Sequence, residues 1–179
     1  MTKPVKVVFL GEAGVGKTTL IERIRTGNFF PHISPTIGAA FATLKCTHQG
    51  RRRILGLWDT AGSERFNVML PNFLRGAAIA VICVTTNHPA KFINTILEEC
   101  NPLPRVLIAL TKSDLELKRD YPIGYRTIEC SSVNGNGVSE LFDAIVTCLP
   151  LDTTSEPELL STIPTYSSEA GRVHRKRCC

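Results

Sequence analysis

The chain has 179 residues, 43% hydrophobic and 21% charged, which suits one domain with a modest appendage and lies far from disordered or fibrous compositions. Its net charge of +5, from 21 basic against 16 acidic residues, is too small an excess to indicate nucleic-acid binding without a clustered patch. No apolar run approaches the roughly 20 residues needed to span a bilayer. Met1-Thr2-Lys3-Pro4 opens without an apolar signal stretch, so a cytosolic protein with free thiols is expected from seven cysteines.

Val5 to Leu10 predicts a strand that runs into Gly11-Glu12-Ala13-Gly14-Val15-Gly16-Lys17-Thr18, and Lys17 to Thr26 predicts a helix. The eight-residue segment matches G-x-x-x-x-G-K-[ST] in the strand-to-helix context that this motif demands. Its glycines let backbone amides turn onto phosphates, and the helix N-terminus adds positive potential. Lys17 reaches the terminal phosphates, and the Thr18 hydroxyl can ligate magnesium. By itself the loop indicates a nucleoside triphosphate without choosing its base.

Phe41 to Thr47 and Arg53 to Trp58 predict two strands joined by a hairpin at His48 to Arg52, followed by a helical stretch near Phe66 to Leu74. Ala77 to Thr85 is a continuous apolar strand, Lys91 to Cys100 a helix, and Val106 to Thr111 a further strand. Arg126 to Cys130 and Val138 to Leu149 supply the last strand and helix. Apolar runs without alternation imply strands covered on both faces, so the fold class is α/β, a mostly parallel sheet flanked by helices. Cys46, Cys83, Cys100, Cys130 and Cys148 sit singly in apolar or mixed segments and read as small hydrophobes without metal-ligand spacing.

From Pro150 onward Pro, Ser, Thr and Glu dominate, giving a folded domain over 1–150 and a flexible tail over 151–179. The tail is polarised. Asp152, Glu156, Glu158 and Glu169 come first, then Arg172, Arg175, Lys176 and Arg177.

Pro35-Thr36-Ile37-Gly38 precedes the strand that ends in Trp58-Asp59-Thr60-Ala61-Gly62, and with Thr111-Lys112-Ser113-Asp114 these motifs make the chain resemble a divergent Rab-type small GTPase of the Ras superfamily. The likeness spans roughly residues 5 to 149. It implies a small G domain of six strands that binds GTP or GDP with Mg2+. Glu12, Ala13, Gly14, Val15, Gly16, Lys17, Thr18 and Thr19 would then cradle the phosphates. Thr36 would sense the γ-phosphate and ligate the metal, Asp59 would hold the metal through water, and the Gly62 amide would meet the γ-phosphate. Lys17, Thr36, Gly62 and Ser63 form the implied catalytic set.

Thr111-Lys112-Ser113-Asp114 resembles the family's N-K-x-D. Asp114 can accept two hydrogen bonds from the N1 and N2 groups of guanine, whereas adenine would leave a desolvated carboxylate unpaired. Thr111 replaces the usual Asn, which predicts altered base contacts with specificity retained. Glu129-Cys130-Ser131-Ser132-Val133 resembles E-T-S-A-K, with the Ser132 amide near the guanine O6 and Ser131 and Val133 beside it. Phe29 matches an aromatic that meets the base, although Phe29 or Phe30 could equally be core.

Ile37, Phe41, Trp58 and Phe73 fall where the family presents side chains to effectors, and aromatics there form a plausible hot spot, a core role being the alternative. Arg175-Lys176-Arg177-Cys178-Cys179 resembles the family's double geranylgeranylation signal, which implies lipidation at Cys178 and Cys179 and attachment to the cytosolic face of an endomembrane. Implied partners are effectors, an exchange factor, a GTPase-activating protein and the prenylation machinery, for a monomer without nucleic-acid binding.

Two departures stand out. Ser63 occupies the position of the family's water-orienting Gln, and a hydroxymethyl group is too short for that task, which predicts slow intrinsic hydrolysis. Ala13 also sits near the expected γ-phosphate. The stretch from Leu115 to Tyr125 is too short for the usual crossover helix, which is therefore expected to be reduced or missing. A hydrolysis-deficient, GTP-bound membrane scaffold is the alternative function; a phosphate-loop nucleotide kinase has no use for the Pro35-Thr36 and Asp114 motifs.

Overall fold

A computed structural model describes residues 3–62, 70–85, 92–94, 98, 100–116 and 124–150. Its strands are β1 (Val5–Leu10), β2 (Ala39–His48), β3 (Arg51–Thr60), β4 (Ile79–Val84), β5 (Arg105–Leu110) and β6 (Arg126–Glu129). The helices described whole are α1 (Lys17–Thr26), α2 (Leu70–Leu74) and α3 (Val138–Thr147). The six strands lie in the order β2-β3-β1-β4-β5-β6. All pairings are parallel except β2 with β3.

That exception is local in origin. Gln49 and Gly50 both adopt positive φ (51° and 73°), the geometry of a two-residue hairpin turn whose twist matches its strands. The ladder therefore runs two residues beyond the expected strand at its β2 start and closes at His48 opposite Arg51.

All six residues of β4 are buried, which explains its unalternating apolar run. One core cluster joins Val7, Phe9, Leu57 and Val81 to Leu20 of α1 and Leu141 and Ile145 of α3. On the opposite face Val8, Leu10, Ala80 and Ile82 pack with Leu70 and Leu74 of α2 and with Phe92. Cys83 and Cys130 are buried within the first cluster, and Cys46, Cys100 and Cys148 are partly buried.

Helix α3 starts at Gly137, which holds φ 69° while its backbone lies against Glu129: an added Cβ would sit 1.7 Å from the Glu129 carbonyl oxygen. The sheet and the helix are thereby locked at the strand-to-loop junction. At the other end α3 stops at Thr147, two residues before the expected Leu149. Residues 92–94 and Glu98 are helical; the remainder of the helix expected from Lys91 to Cys100 lies outside the described residues, as do residues 66–69 of the stretch before α2. The described parts of the β5–β6 connection, 111–116 and 124–125, contain turns and no helix, and residues 117–123 lie outside them.

Candidate functional site: a cleft at the C-terminal edge of the sheet

In a parallel sheet the strand ends all open toward one edge, and loops leaving them converge on a crevice there. The crevice here has a volume of about 410 Å³, within the range of small-molecule sites. Ala13, Gly14, Val15, Gly16, Lys17, Thr18 and Thr19 line it from the β1–α1 turn, and Phe29 and Thr36 from the segment before β2. Gly62 closes it after β3, while Thr111, Lys112, Asp114, Ser132 and Val133 come from the far loops.

Helix α1 begins at Lys17 beside the cleft, after Gly16 in the left-handed region at φ 92°. Its unpaired first-turn amides therefore lie at the crevice wall. Lys17 is 6% exposed and donates to the carbonyls of Gly11 and Glu12, each at 2.8 Å. Burial lowers its pKa, an effect that Asp59 and Glu12 partly offset. The ammonium folds back on its own loop and is held where an anion would meet it. Glu12 itself does not line the cleft; its carbonyl serves Lys17.

Next to the lysine, three oxygens converge from three segments. Thr18 Oγ1 donates to Asp59 Oδ2 at 2.6 Å, Thr36 Oγ1 donates to the same oxygen at 2.8 Å, and the two hydroxyls lie 2.8 Å apart. Asp59 is 3% exposed and its Oδ1 has no hydrogen-bond partner. A buried carboxylate with an orphan oxygen is costly unless a cation or donor completes it. This hard, oxygen-only donor set suits Mg2+, which takes a carboxylate or two and leaves other positions to water or phosphate.

The segments around this cluster touch each other. Ala61 N donates to the Gly38 carbonyl at 2.8 Å, tying the end of β3 to the start of β2. Gly62 lies against the phosphate-loop backbone, where an added Cβ would come within 2.3 Å of Ala13 N. Only a residue without a side chain allows that approach.

At the far end, Asp114 Oδ1 accepts from Ser131 Oγ at 2.5 Å. Ser131 is fully buried and does not line the cleft, so it orients the carboxylate from behind. Thr111 is 3% exposed, and its hydroxyl donates to the Val15 carbonyl at 2.6 Å, with the Val84 carbonyl at 3.1 Å. One hydroxyl thus joins the β1–α1 loop to the loop after β5. Phe29 and Phe30 are 36% and 43% exposed and both line the cleft, so neither is core. Pro31, Ile33 and Ser34 also line it outside any motif of the sequence, and Pro35 and Thr60 line it from within two of the motifs.

Outside the cleft, Ile37 is 88% exposed and Phe41 54% exposed. Phe41 and Trp58, directly opposite each other across β2 and β3, meet edge to face with ring centroids 5.3 Å apart. Phe73 is half-buried and packs, with Trp58, on the second core cluster. Ser63, Cys178 and Cys179 lie outside the described residues.

A family model described as Roc, the Ras of Complex domain of DAPkinase, matches residues 6–114. Mouse Ras-related protein Rab-22A is 33% identical over 164 residues, covering 83% of this chain and 84% of its own. Human Rab-31 is 34% identical with the same coverage, and Rab-5A of Dictyostelium discoideum is 29% identical over 97% of this chain and 94% of its own.

Proposed function

The chain belongs to the Rab-type small GTPases of the Ras superfamily, and on that premise we propose that it is a guanine-nucleotide switch whose cleft holds GTP or GDP. The single observation that carries this reading is the convergence of Lys17, the Thr18–Thr36–Asp59 oxygen cluster and Asp114 on one crevice.

Loop amides from Ala13 to Thr19 and the Lys17 ammonium bind the phosphates; Thr111, Lys112, Asp114, Ser132 and Val133 take the base, with Ser131 fixing Asp114 by its hydrogen bond. Phe29 stacks at the rim. Asp114 accepts from guanine and offers adenine nothing to pair with, which gives selectivity by an unpaired-carboxylate penalty. Thr18, Thr36 and Asp59 would hold Mg2+, which supplies charge neutralisation on the phosphates. Thr36 lies on the segment that leads into β2, and Gly62 follows β3, so both ends of the hairpin sense the third phosphate. Loss of that phosphate releases Thr36 and Gly62 and alters the surface of Ile37, Phe41, Trp58 and Phe73, to which effectors bind.

Hydrolysis to GDP is slow in this account because Ser63 cannot bridge water and phosphate as Gln does. A GTPase-activating protein and an exchange factor would set the cycle, and Cys178 and Cys179, prenylated, would fix the tail of residues 151–179 to the cytosolic leaflet of a trafficking membrane. Among the described residues no helix is long and apolar enough to cross a membrane.

Ser63 also favours a second reading, a scaffold that stays GTP-bound. The nucleotide recovered from purified protein separates the two: mostly GDP supports cycling, mostly GTP the scaffold. Single-turnover hydrolysis adds the direct test. Ser63→Gln is expected to accelerate it, and an equal or lower rate removes Ser63 from the account.

A further inference from the structure

Among the described residues one face of the β2–β3 hairpin is largely uncovered, with Phe41, Lys45 and Arg52 exposed and Ile54 and Trp58 half-buried. Phe41, Thr43, Lys45 and Thr47 alternate outward along β2, opposite Trp58, Gly56, Ile54 and Arg52. Lys6 of β1 continues this face, its ammonium 4.8 Å from the Trp58 ring centroid and donating one hydrogen bond to the Arg75 carbonyl at 2.9 Å, which leaves two of its three N–H groups. Aromatic side chains thus mark one end, and Lys6, Lys45 and Arg52 run down from them. The only acid in these three strands is Asp59, which alternates to the opposite side of β3 and is buried against the Thr18 and Thr36 hydroxyls. Such a face is complementary to a segment carrying several acids and an apolar end.

The chain supplies that segment where it leaves the domain. Buried Arg53 donates to the Pro150 carbonyl at 3.3 Å, which pins the exit of the tail at the lower part of the hairpin. Arg52, the next residue along β3, faces the open side, and β2 is the sheet edge round which the tail would pass. Asp152, Glu156 and Glu158 follow Pro150, then Leu159 and Leu160. Ten extended residues reach about 33 Å; the climb from Arg52 to Trp58 takes about 20 Å at strand rise, which leaves about 13 Å for the passage from the Arg53 side round β2, one strand spacing of about 4.8 Å away.

We propose that residues 152–160 dock on the open face of the β2–β3 hairpin, with their acids on Arg52, Lys45 and Lys6 and Leu159–Leu160 over Phe41 and Trp58. Individual exposed ion pairs are weak. Here they form within one molecule, where tethering supplies a high effective concentration. The docked tail covers the aromatic pair and competes with effectors for it. That last consequence rests on the effector reading above; the docking does not.

Trp58 is the only tryptophan of the chain, so acrylamide quenching of its emission in the full-length, GDP-loaded protein reads the docking directly. The triple variant Asp152→Asn/Glu156→Gln/Glu158→Gln is expected to raise the quenching constant about twofold, and so is about 1 M salt, at which the screening length falls to about 3 Å. Lys45→Glu/Arg52→Glu is expected to do the same, and adding Glu156→Lys/Glu158→Lys to that variant is expected to restore shielding. Equal quenching of the wild type and the triple variant at low and high salt overturns the proposal. Shielding that grows with protein concentration assigns the face to a second copy, and shielding that needs phosphatidylserine vesicles assigns it to lipid; either result also overturns it. Bound nucleotide measured in the same samples keeps a failure of the switch reading separate from a failure of docking.

Discussion

Thr111 joins two distant loops through one hydroxyl. Its bond to the Val15 carbonyl is buried and links the two loops that bracket the cleft. Thr111→Val keeps the shape and leaves that carbonyl unsatisfied, at a cost of about 1–3 kcal/mol. Release of a fluorescent GDP is expected to accelerate about tenfold or more in stopped flow, since each 1.4 kcal/mol is about a factor of ten. Asp59 offers a second test. Chelating Mg2+ is expected to speed nucleotide release from the wild type and to leave Asp59→Ala, already fast, unchanged. Equal sensitivity of both proteins to chelation removes Asp59 from the metal site.

At the scale of elements, Gly137 is the junction between β6 and α3. Gly137→Ala pushes a methyl into the Glu129 carbonyl and strains a left-handed backbone, so a loss of several kcal/mol, about 2 or more, is expected in urea unfolding. The thiol of Cys130 at the same junction gives a pH signature. Burial, reinforced by Glu140 and Glu129, raises its pKa from 9.0 to about 12. The unfolded chain releases this proton first, so the stabilisation is complete below about 9 and is lost as pH rises toward about 12. Buried Cys83, raised further by desolvation, contributes in the same direction. Cys130→Ala is expected to flatten the fall of stability with pH, read as the midpoint of urea unfolding across this window.

These elements also show what the sequence made legible. The bounds of β1 and α1 follow directly from an apolar run and a phosphate-loop motif. β2 begins two residues before the strand expected from Phe41; Ala39 and Ala40 carry no strand signal of their own, and their pairing with Thr60 and Asp59 comes from the partner strand and from the Ala61–Gly38 hydrogen bond. In the cleft, the lining from Ala13 to Thr19, Thr36, Gly62 and Asp114 was readable because it falls within sequence motifs. The wall of Phe30, Pro31 and Ile33 was not, since a loop's position over a crevice depends on tertiary contacts that no local spacing encodes. Neither Ser131's hold on Asp114 nor the Thr111–Val15 bond has a sequence signature, because both join positions distant along the chain.

For the whole molecule, the arrangement separates two ends of one sheet. The cleft occupies the C-terminal edge of the parallel strands, while the hairpin turn and the Pro150 exit lie toward the other. β3 connects them, carrying Asp59 close to the cleft, Trp58 on the open face and Arg53 at the Pro150 carbonyl. In the proposed switch, the outer surface would change through the same strand that ends at the Thr18–Thr36–Asp59 cluster. The most direct test of the account is titration calorimetry of nucleotide-free protein with GTP and with ATP in the presence of Mg2+. Tight binding of GTP and at least a thousandfold weaker binding of ATP, a difference of about 4 kcal/mol or more, is the predicted result. Equal affinity for the two nucleotides, or no binding of either, contradicts it.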